Sequence, residues 1–177
     1  TRTFVMPDAD VTLTAVFTQT ASEPGSGDGY RGFPDVMGDE WFATDRALGY
    51  VVDHGLIEGY KDGSFGASHP VTRAQLVTVL WRMAGKPSAT SEPFLDADPK
   101  GFYWNALQWA RANKIASGYS DTNRFGPDDR LTRETLATFA ASYARLQGID
   151  TSGYESELNA FADASKVSTW ARSSMGW

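Results

Sequence analysis

The segments VTRAQLVTVLWRM (residues 71–83) and LTRETLATFAASYARL (residues 131–146) decide the architecture, because both begin with a Thr-Arg pair and continue with helical periodicity. Apolar residues recur in both at i, i+3, i+4 and i+7, which predicts two amphipathic helices. The periodic residues are Leu76, Val79, Leu80 and Met83 in the first segment and Leu136, Phe139, Ala140 and Tyr143 in the second. Val77, Trp81 and Ala84 add a second apolar stripe, so the first helix is predicted to be central and buried.

The starts of these helices carry capping signals. Thr72 and Gln75 have the capping-box spacing, in which the threonine hydroxyl accepts from the N3 amide and the N3 side chain reaches back. Thr132 can cap in the same way, although Thr135 cannot complete the box. These residues therefore have a structural explanation.

Arg73 and Arg133 are not required for capping, and the helix dipole opposes a cation in the first turn by about 0.3–1 kcal/mol when it is exposed. A negative group is therefore expected beside each arginine. A guanidinium next to unpaired N–H groups is a receptor for an external carboxylate or phosphate. The residues leave open a second interpretation, in which each arginine pairs with an acid of its own chain. The acids at matching positions are Asp35, Asp62, Asp96 and Asp121.

An F-x-D motif occurs three times, as FPDV at 33–36, FLDA at 94–97 and FADA at 161–164. These are three starts of one unit of roughly 60 residues. The third unit reaches Trp177 before any Gly-Tyr loop or Thr-Arg helix. The predicted units are repeat 1 at 33–90, repeat 2 at 91–150 and the start of an incomplete third repeat at 151–177.

Each of the first two units places a helical stretch and then a Gly-Tyr loop before its Thr-Arg helix. Helices are predicted from Trp41 to His54 and from Tyr103 to Asn113. Gly85 and Gly148 lie where helices commonly stop.

The first residues follow a different pattern. Residues 4–17 alternate apolar and polar side chains after a Pro-Asp turn, which predicts a half-buried strand. We interpret residues 1–19 as the C-terminal strand of a preceding β module, with an ordered strand of the main domain as the alternative. Residues 20–32 are rich in Gly, Ser, Pro and acidic residues, which predicts a linker.

Composition excludes several classes of function. The net charge is -6 and basic residues form no stripe, so neither nucleic acid nor an acidic membrane is an expected partner. The chain has no cysteine, which removes disulfides and zinc-thiolate sites. We predict no metal and no cofactor.

The ordered set of F-x-D, an aromatic helix, G-[LI]-x-x-G-Y, x-D-G-x-F and [VL]-T-R-[AE] resembles the S-layer homology (SLH) domain from Phe33 to Trp177. The segment before it resembles the end of a Listeria-Bacteroides type extracellular repeat. The resemblance implies a mainly α fold, in which tandem helix-loop-helix repeats pack as a partial pseudo-threefold bundle after a short N-terminal β segment. It also implies an extracellular module at the cell wall of Gram-positive bacteria, which anchors a surface protein by binding pyruvylated secondary cell-wall polysaccharide.

The resemblance implies that residues at matching positions of the two units bind the ligand. Sugars pack their C–H faces on aromatic rings, which favours Tyr60 and Tyr119 and then Trp41 and Trp104. The other residues predicted to bind ligand are Arg73, Arg133, Thr72, Thr132, Asp35 and Asp96. Lys114 departs from the family pattern, because it stands where the first unit has Gly55.

Two other functions are weighed against wall binding. A glycoside hydrolase needs two carboxylates about 5 to 9.5 Å apart, and no pair of acids is singled out by the sequence. A protein-interaction or self-assembly module is the other alternative, because an incomplete bundle exposes apolar surface. Residues 121–132 resemble a calcium loop only in part, since Thr132 supplies no bidentate carboxylate at position 12.

Overall fold

The computed structural model describes residues 29–177. The α-helices span Trp41–Thr44 (α1), Ala47–Asp53 (α2), Arg73–Met83 (α3), Trp104–Ala112 (α4), Arg133–Leu146 (α5) and Arg172–Gly176 (α6). Short 3-10 turns span Glu155–Ala160, Ala164–Lys166 and Thr169–Ala171. Within the described residues, strand pairing is limited to isolated bridges, so the fold is mainly α as predicted. The predicted strand at 1–19 and most of the linker lie outside these residues.

The two Thr-Arg helices begin as their sequences predict. The Thr72 hydroxyl accepts from the Gln75 amide at 3.3 Å, and the Gln75 side-chain oxygen accepts from the Thr72 amide at 2.8 Å. Thr132 accepts from the Thr135 amide at 3.1 Å, and the box is not completed there. Local hydrogen bonds within the chain therefore fix both helix starts without a ligand.

Helix α3 is buried along most of its length, as its two apolar stripes predict. The apolar face predicted for α5 is confirmed in part, because Phe139 is buried and Tyr143 packs against the core. Leu136 is 44% exposed instead, and Thr135 and Ser142 are buried. Helix α5 packs against α6.

The helix predicted from Trp41 to His54 is two helices. Arg46 lies between α1 and α2 with φ +64°, in the left-handed region. Gly59 lies 26 residues after Phe33 in the first unit, whereas Gly118 lies 24 residues after Phe94 in the second. The break at Arg46 accommodates the two additional residues of the first unit, so both units keep the same order of helical stretch, Gly-Tyr loop and Thr-Arg helix.

The two repeats interlock through α3. Phe33, Val36, Ala43 and Leu48 form a small cluster at the start of repeat 1. A larger cluster joins the buried face of α3 to the helix and loop of repeat 2, through Ala74, Leu76, Val77, Leu80, Phe94, Leu107, Trp109, Phe125 and Phe139. Helix α3 therefore belongs to repeat 1 by sequence and to the core of repeat 2 by packing.

The start of α3 is held by the backbone of repeat 2. The Arg73 amide donates to the Asp129 carbonyl at 3.0 Å, and the Ala74 amide donates to the Pro127 carbonyl at 3.0 Å. Two of the four N–H groups that a helix start leaves without partners are thus satisfied within the chain. The expectation that this helix end offers its first N–H groups to a ligand is wrong for α3.

Candidate ligand-binding site

The F-x-D acids close the loops of their own repeats. The Asp35 carboxylate accepts from the amides of Phe65 and Gly66 at 2.7 and 2.8 Å. In repeat 2, the Asp96 carboxylate accepts from the amides of Phe125 and Gly126 at 2.8 and 2.9 Å. Each acid joins the start of its repeat to the loop 29 to 31 residues later. The structure thus gives both predicted ligand residues a role in shaping the loops.

These hydrogen bonds lower the pKa of both carboxyl groups. For Asp35, the amides of Phe65 and then Gly66 stabilise the charged form. For Asp96, partial burial is the largest single influence and would raise the pKa, but the amides of Phe125 and Gly126 together outweigh it. Both groups are therefore charged near neutral pH.

Arg73 lies in an aromatic cage that repeat 2 supplies. Its side chain is buried, with 6% of the residue exposed, and its Nε donates to the Phe125 carbonyl at 2.7 Å. The guanidinium carbon lies 4.7, 4.8 and 5.3 Å from the ring centroids of Tyr119, Phe125 and Phe139. Cation–π contacts of this kind hold a guanidinium without neutralising it.

The terminal nitrogens of Arg73 have no acidic partner. Within residues 29–177 they make no hydrogen bond and no ion pair, so Arg73 pairs with none of the four acids at matching positions that the sequence suggested. In the same residues, the side-chain nitrogens that are fully buried and have no hydrogen-bond partner are Arg82 Nε and Arg111 Nη1. The terminal nitrogens of Arg73 also lack a partner but are not fully buried. They therefore keep contact with solvent. Burial lowers the pKa of Arg73, against the charges of Tyr119, Asp129 and Asp96, and an arginine remains protonated under such a shift.

Arg133 has a different environment from Arg73. It is exposed at the start of α5, and its side chain makes no hydrogen bond or ion pair with the part of the chain that the structure describes. Thr132 beside it is also exposed and caps the helix. The two repeat-related arginines are therefore not equivalent, because only Arg73 is enclosed by a following loop.

The two loop tyrosines face different partners. The Tyr119 hydroxyl donates to Asp129 Oδ2 at 2.7 Å, and this bond, followed by partial burial, raises the pKa of Tyr119. The Tyr60 hydroxyl accepts from the Gln75 side-chain amide at 3.1 Å, and the edge of its ring meets His69 at 5.1 Å between centroids. Tyr119 is 45% exposed and Tyr60 is 38% exposed, so both rings offer surface to a ligand.

An open cavity of about 790 Å³ follows the Gly-Tyr loop of repeat 1. The aromatic rings on its wall are those of Tyr60, Phe65 and Phe102, and α3 contributes polar groups through Gln75 and Arg82. Phe102, which is 68% exposed, was not among the residues predicted from the sequence. Phe102 lies eight residues after the F of its F-x-D motif, as Trp41 does in repeat 1, and that spacing could have identified it.

The two predicted tryptophans lie away from this cavity. Trp41 is 74% exposed and packs edge-on against Phe42. Trp104 is half-buried at the start of α4. Neither is among the residues that line the cavity beside Tyr60 and Phe102.

Comparison with known proteins gives the repeats a family. A family model described as the S-layer homology domain matches residues 32–77 and 93–137, which is just over half of the chain. The chain belongs to the S-layer homology domain family. The matched segments contain the F-x-D motifs at 33–36 and 94–97, both Gly-Tyr loops and both Thr-Arg helix starts, so the paired features described above are those of SLH repeats.

Individual relatives are similar over most of the chain. The Surface-layer 125 kDa protein of Lysinibacillus sphaericus is 31% identical over 128 residues, which is 72% of this chain and 10% of the relative. S-layer protein EA1 of Bacillus anthracis is 25% identical over 138 residues, 77% of this chain and 15% of the relative. Exoglucanase XynX of Acetivibrio thermocellus is 29% identical over 143 residues, 79% of this chain and 12% of the relative. The chain thus spans only a small part of each.

Membership of the SLH family makes this chain a cell-surface, extracellular module associated with the cell wall. Among the described residues, no helix is both long and apolar enough to span a bilayer. The same residues contain no group of three or more His, Asp or Glu side chains suited to a metal ion.

Proposed function

We propose that these SLH repeats anchor a larger protein to the cell wall by binding acidic, pyruvylated wall polysaccharide, with Arg73 as the receptor for the carboxylate. One observation supports this most strongly. Arg73 is almost fully buried, yet its terminal nitrogens have no partner among the described residues. A buried charge without an acid is costly, and a ligand carboxylate would compensate it.

The cage prepares Arg73 for a planar anion. Its Nε is held by the Phe125 carbonyl, and the rings on its faces restrict its rotation. The remaining N–H groups present a fork that matches a carboxylate. Because the aromatic walls limit the contact of the guanidinium with water, the interaction is stronger than at an open surface. A ligand therefore meets a receptor whose side-chain entropy has already been lost on folding.

The cavity of repeat 1 supports contact with sugar rings. Tyr60 and Phe102 offer apolar faces, while Gln75, His69 and Asp62 offer hydrogen-bonding groups. Its volume of about 790 Å³ lies within the usual range for small-ligand sites. The Arg73 cage and this cavity lie on elements that meet at the start of α3. One polymer that engages both would bind with avidity.

The other predicted ligand residues support the site less directly. Asp35 and Asp96 hold the loops, and Thr72 and Thr132 cap the helices, so each acts on a ligand through the shape of the protein. Arg133 is an exposed cation at a repeat-related position and is proposed as a second, weaker contact. Ligand contacts by Trp41 and Trp104 remain predictions, as does self-association of the chain.

The chain is proposed to act without catalysis. Some relatives are named as hydrolases, such as the endoglucanase of Bacillus sp. (strain KSM-635), but the chain covers only 14% of that protein. The carboxyl groups of Asp35 and Asp96 have lowered pKa values. A glycosidase instead requires one acid with a raised pKa.

Binding to two forms of one polymer tests this function. The chain is titrated against wall polysaccharide before and after chemical removal of its pyruvate, and the acid-treated polymer should bind far more weakly. Arg73→Ala should weaken binding of the intact polymer by roughly tenfold or more. Arg130→Ala is the matched control, since Arg130 is exposed and lies outside the cage. Equal binding of both polymers by the wild-type chain would refute the proposal.

Arg73 also joins the repeats, so the stability of its variant must be measured. Arg73→Lys keeps the charge but removes the planar fork. Circular dichroism and thermal unfolding identify the variants that remain folded at the binding temperature. Only those variants enter the comparison of affinities, and a folded Arg73→Lys chain that binds as the wild type does would count against the bidentate receptor.

A further inference from the structure

Asp129 and the Arg73 guanidinium both contact Tyr119. The Asp129 backbone carbonyl accepts from the Arg73 amide at 3.0 Å, and its carboxylate accepts from the Tyr119 hydroxyl at 2.7 Å. The Tyr119 ring centroid in turn lies 4.7 Å from the guanidinium carbon. The carboxylate itself forms no ion pair with Arg73 in residues 29–177.

The loop makes room for this carboxylate. Gly126 has φ +68°, and a Cβ placed there would come 2.1 Å from Asp129 Oδ2. That oxygen also accepts from the Tyr119 hydroxyl, so a turn of the carboxylate that displaces Oδ2 would break this hydrogen bond. The acid is thus fixed near the receptor without occupying it.

Two carboxylates are hydrogen-bonded to the residues that form the cage around Arg73. Asp96 accepts from the amides of Phe125 and Gly126, and Asp129 accepts from Tyr119. Charges of both acids act on Arg73. An incoming anion is therefore attracted by the guanidinium and repelled by the charges of Asp96 and Asp129.

Repeat 1 shows that the loop does not require an acid at this position. The residue equivalent to Asp129 is His69, which packs against the edge of Tyr60. The Tyr60 hydroxyl finds a different partner, the side chain of Gln75. The same loop thus closes with a histidine in one repeat and an aspartate in the other, so the charge at Asp129 is not explained by folding alone.

We propose that Asp129 is a specificity-determining residue of the Arg73 site, which weakens the binding of anions and discriminates against groups with two negative charges. The proposal rests on the proposed function, since it concerns the same receptor. Repulsion from Asp129 grows with the charge of the ligand, so a phosphate monoester is opposed about twice as strongly as a carboxylate. A guanidinium without this neighbour would favour the more highly charged group.

Asp129→Asn removes the charge and keeps an acceptor for Tyr119. Asp128→Asn is the matched control, because it makes the same change of net charge one residue away at an exposed side chain. Asp129→Asn should bind pyruvylated wall polysaccharide about three- to tenfold more tightly, whereas Asp128→Asn should stay close to the wild type. In competition for that polymer, glucose monophosphate should gain more potency than glucuronate in the Asp129→Asn chain.

The outcomes separate the two proposals. If the wild-type chain prefers the pyruvylated polymer but Asp129→Asn behaves as Asp128→Asn does, the role of Asp129 is refuted and the anchoring function stands. A wild-type chain that binds intact and depyruvylated polymers equally, or neither, refutes both. Unfolding of Asp129→Asn is followed alongside, and its midpoint should match the wild type, since His69 fills the equivalent position in repeat 1.

Discussion

Replacing Asp96 by asparagine tests whether the F-x-D acid holds its repeat together. The carboxylate accepts from two amides, at 2.8 Å from Phe125 and 2.9 Å from Gly126. An asparagine offers only one oxygen, so one amide loses its partner and the other loses a charged acceptor. Hydrogen bonds to charged groups contribute about 1.5–3 kcal/mol each, and partial exposure lets water replace some of this. We expect Asp96→Asn to lower the free energy of unfolding by about 1–2 kcal/mol.

Urea unfolding followed by circular dichroism measures this change at neutral pH. Asp35→Asn provides a twin in repeat 1, where the acid is exposed, and its effect should be smaller. The pKa of Asp96 is lowered in the folded chain, so its contribution is fully present above the unfolded value of about 3.9 and is lost as pH falls through the folded value. The difference between wild type and variant should therefore shrink at about pH 3.

Two results would refute this reasoning. An unchanged unfolding midpoint at neutral pH would show that the two hydrogen bonds do not hold the loop. If Asp96→Asn lowered the free energy of unfolding by as much at acidic pH as at neutral pH, the carboxylate charge would not be responsible for the loss.

Two further predictions concern stability and binding. Lys114 has φ +57°, close to the +61° of Gly55 at the matching position. Because a side chain is strained in this left-handed conformation, Lys114→Gly should raise the free energy of unfolding by about 1 kcal/mol in a urea titration. A loss of stability would contradict this. Phe102→Ala should weaken binding of wall polysaccharide severalfold in calorimetry while leaving the unfolding midpoint unchanged, because the ring is 68% exposed on the cavity wall. Leu95→Ala is its control, since Leu95 is 74% exposed outside that cavity, and an equal effect of both changes would argue against a sugar contact.

The parts of the fold that depend on neighbours in sequence were predictable. The capping box of Thr72 and Gln75 involves residues three apart, and its two hydrogen bonds are present. The stops at Gly85 and Gly148 follow from the left-handed conformation, and both glycines have φ +82°. In these cases, local chemistry determines the backbone without help from the rest of the chain.

The site was less predictable because its parts come from different repeats. Arg73 meets the Phe125 carbonyl 52 residues away, so its cage cannot be deduced from the residues around it. Pairing Arg73 with a tyrosine by proximity in sequence would suggest Tyr60, whereas the ring over the guanidinium is that of Tyr119. The break at Arg46 was missed for a similar reason, since the extra length it accommodates appears only when the two repeats are compared.

The most direct measurement follows the Arg73 side chain while a ligand binds. Side-chain N–H signals of arginine are recorded by NMR, the Arg73 signal is assigned with Arg73→Lys, and a fragment of pyruvylated wall polysaccharide is added until binding is complete. We predict that the Arg73 signal shifts as the pyruvylated fragment is added and stops shifting when binding is complete. A depyruvylated fragment should leave the signal unchanged. A fragment that binds while the Arg73 signal stays unchanged would contradict the claim that this buried guanidinium receives the ligand's carboxylate.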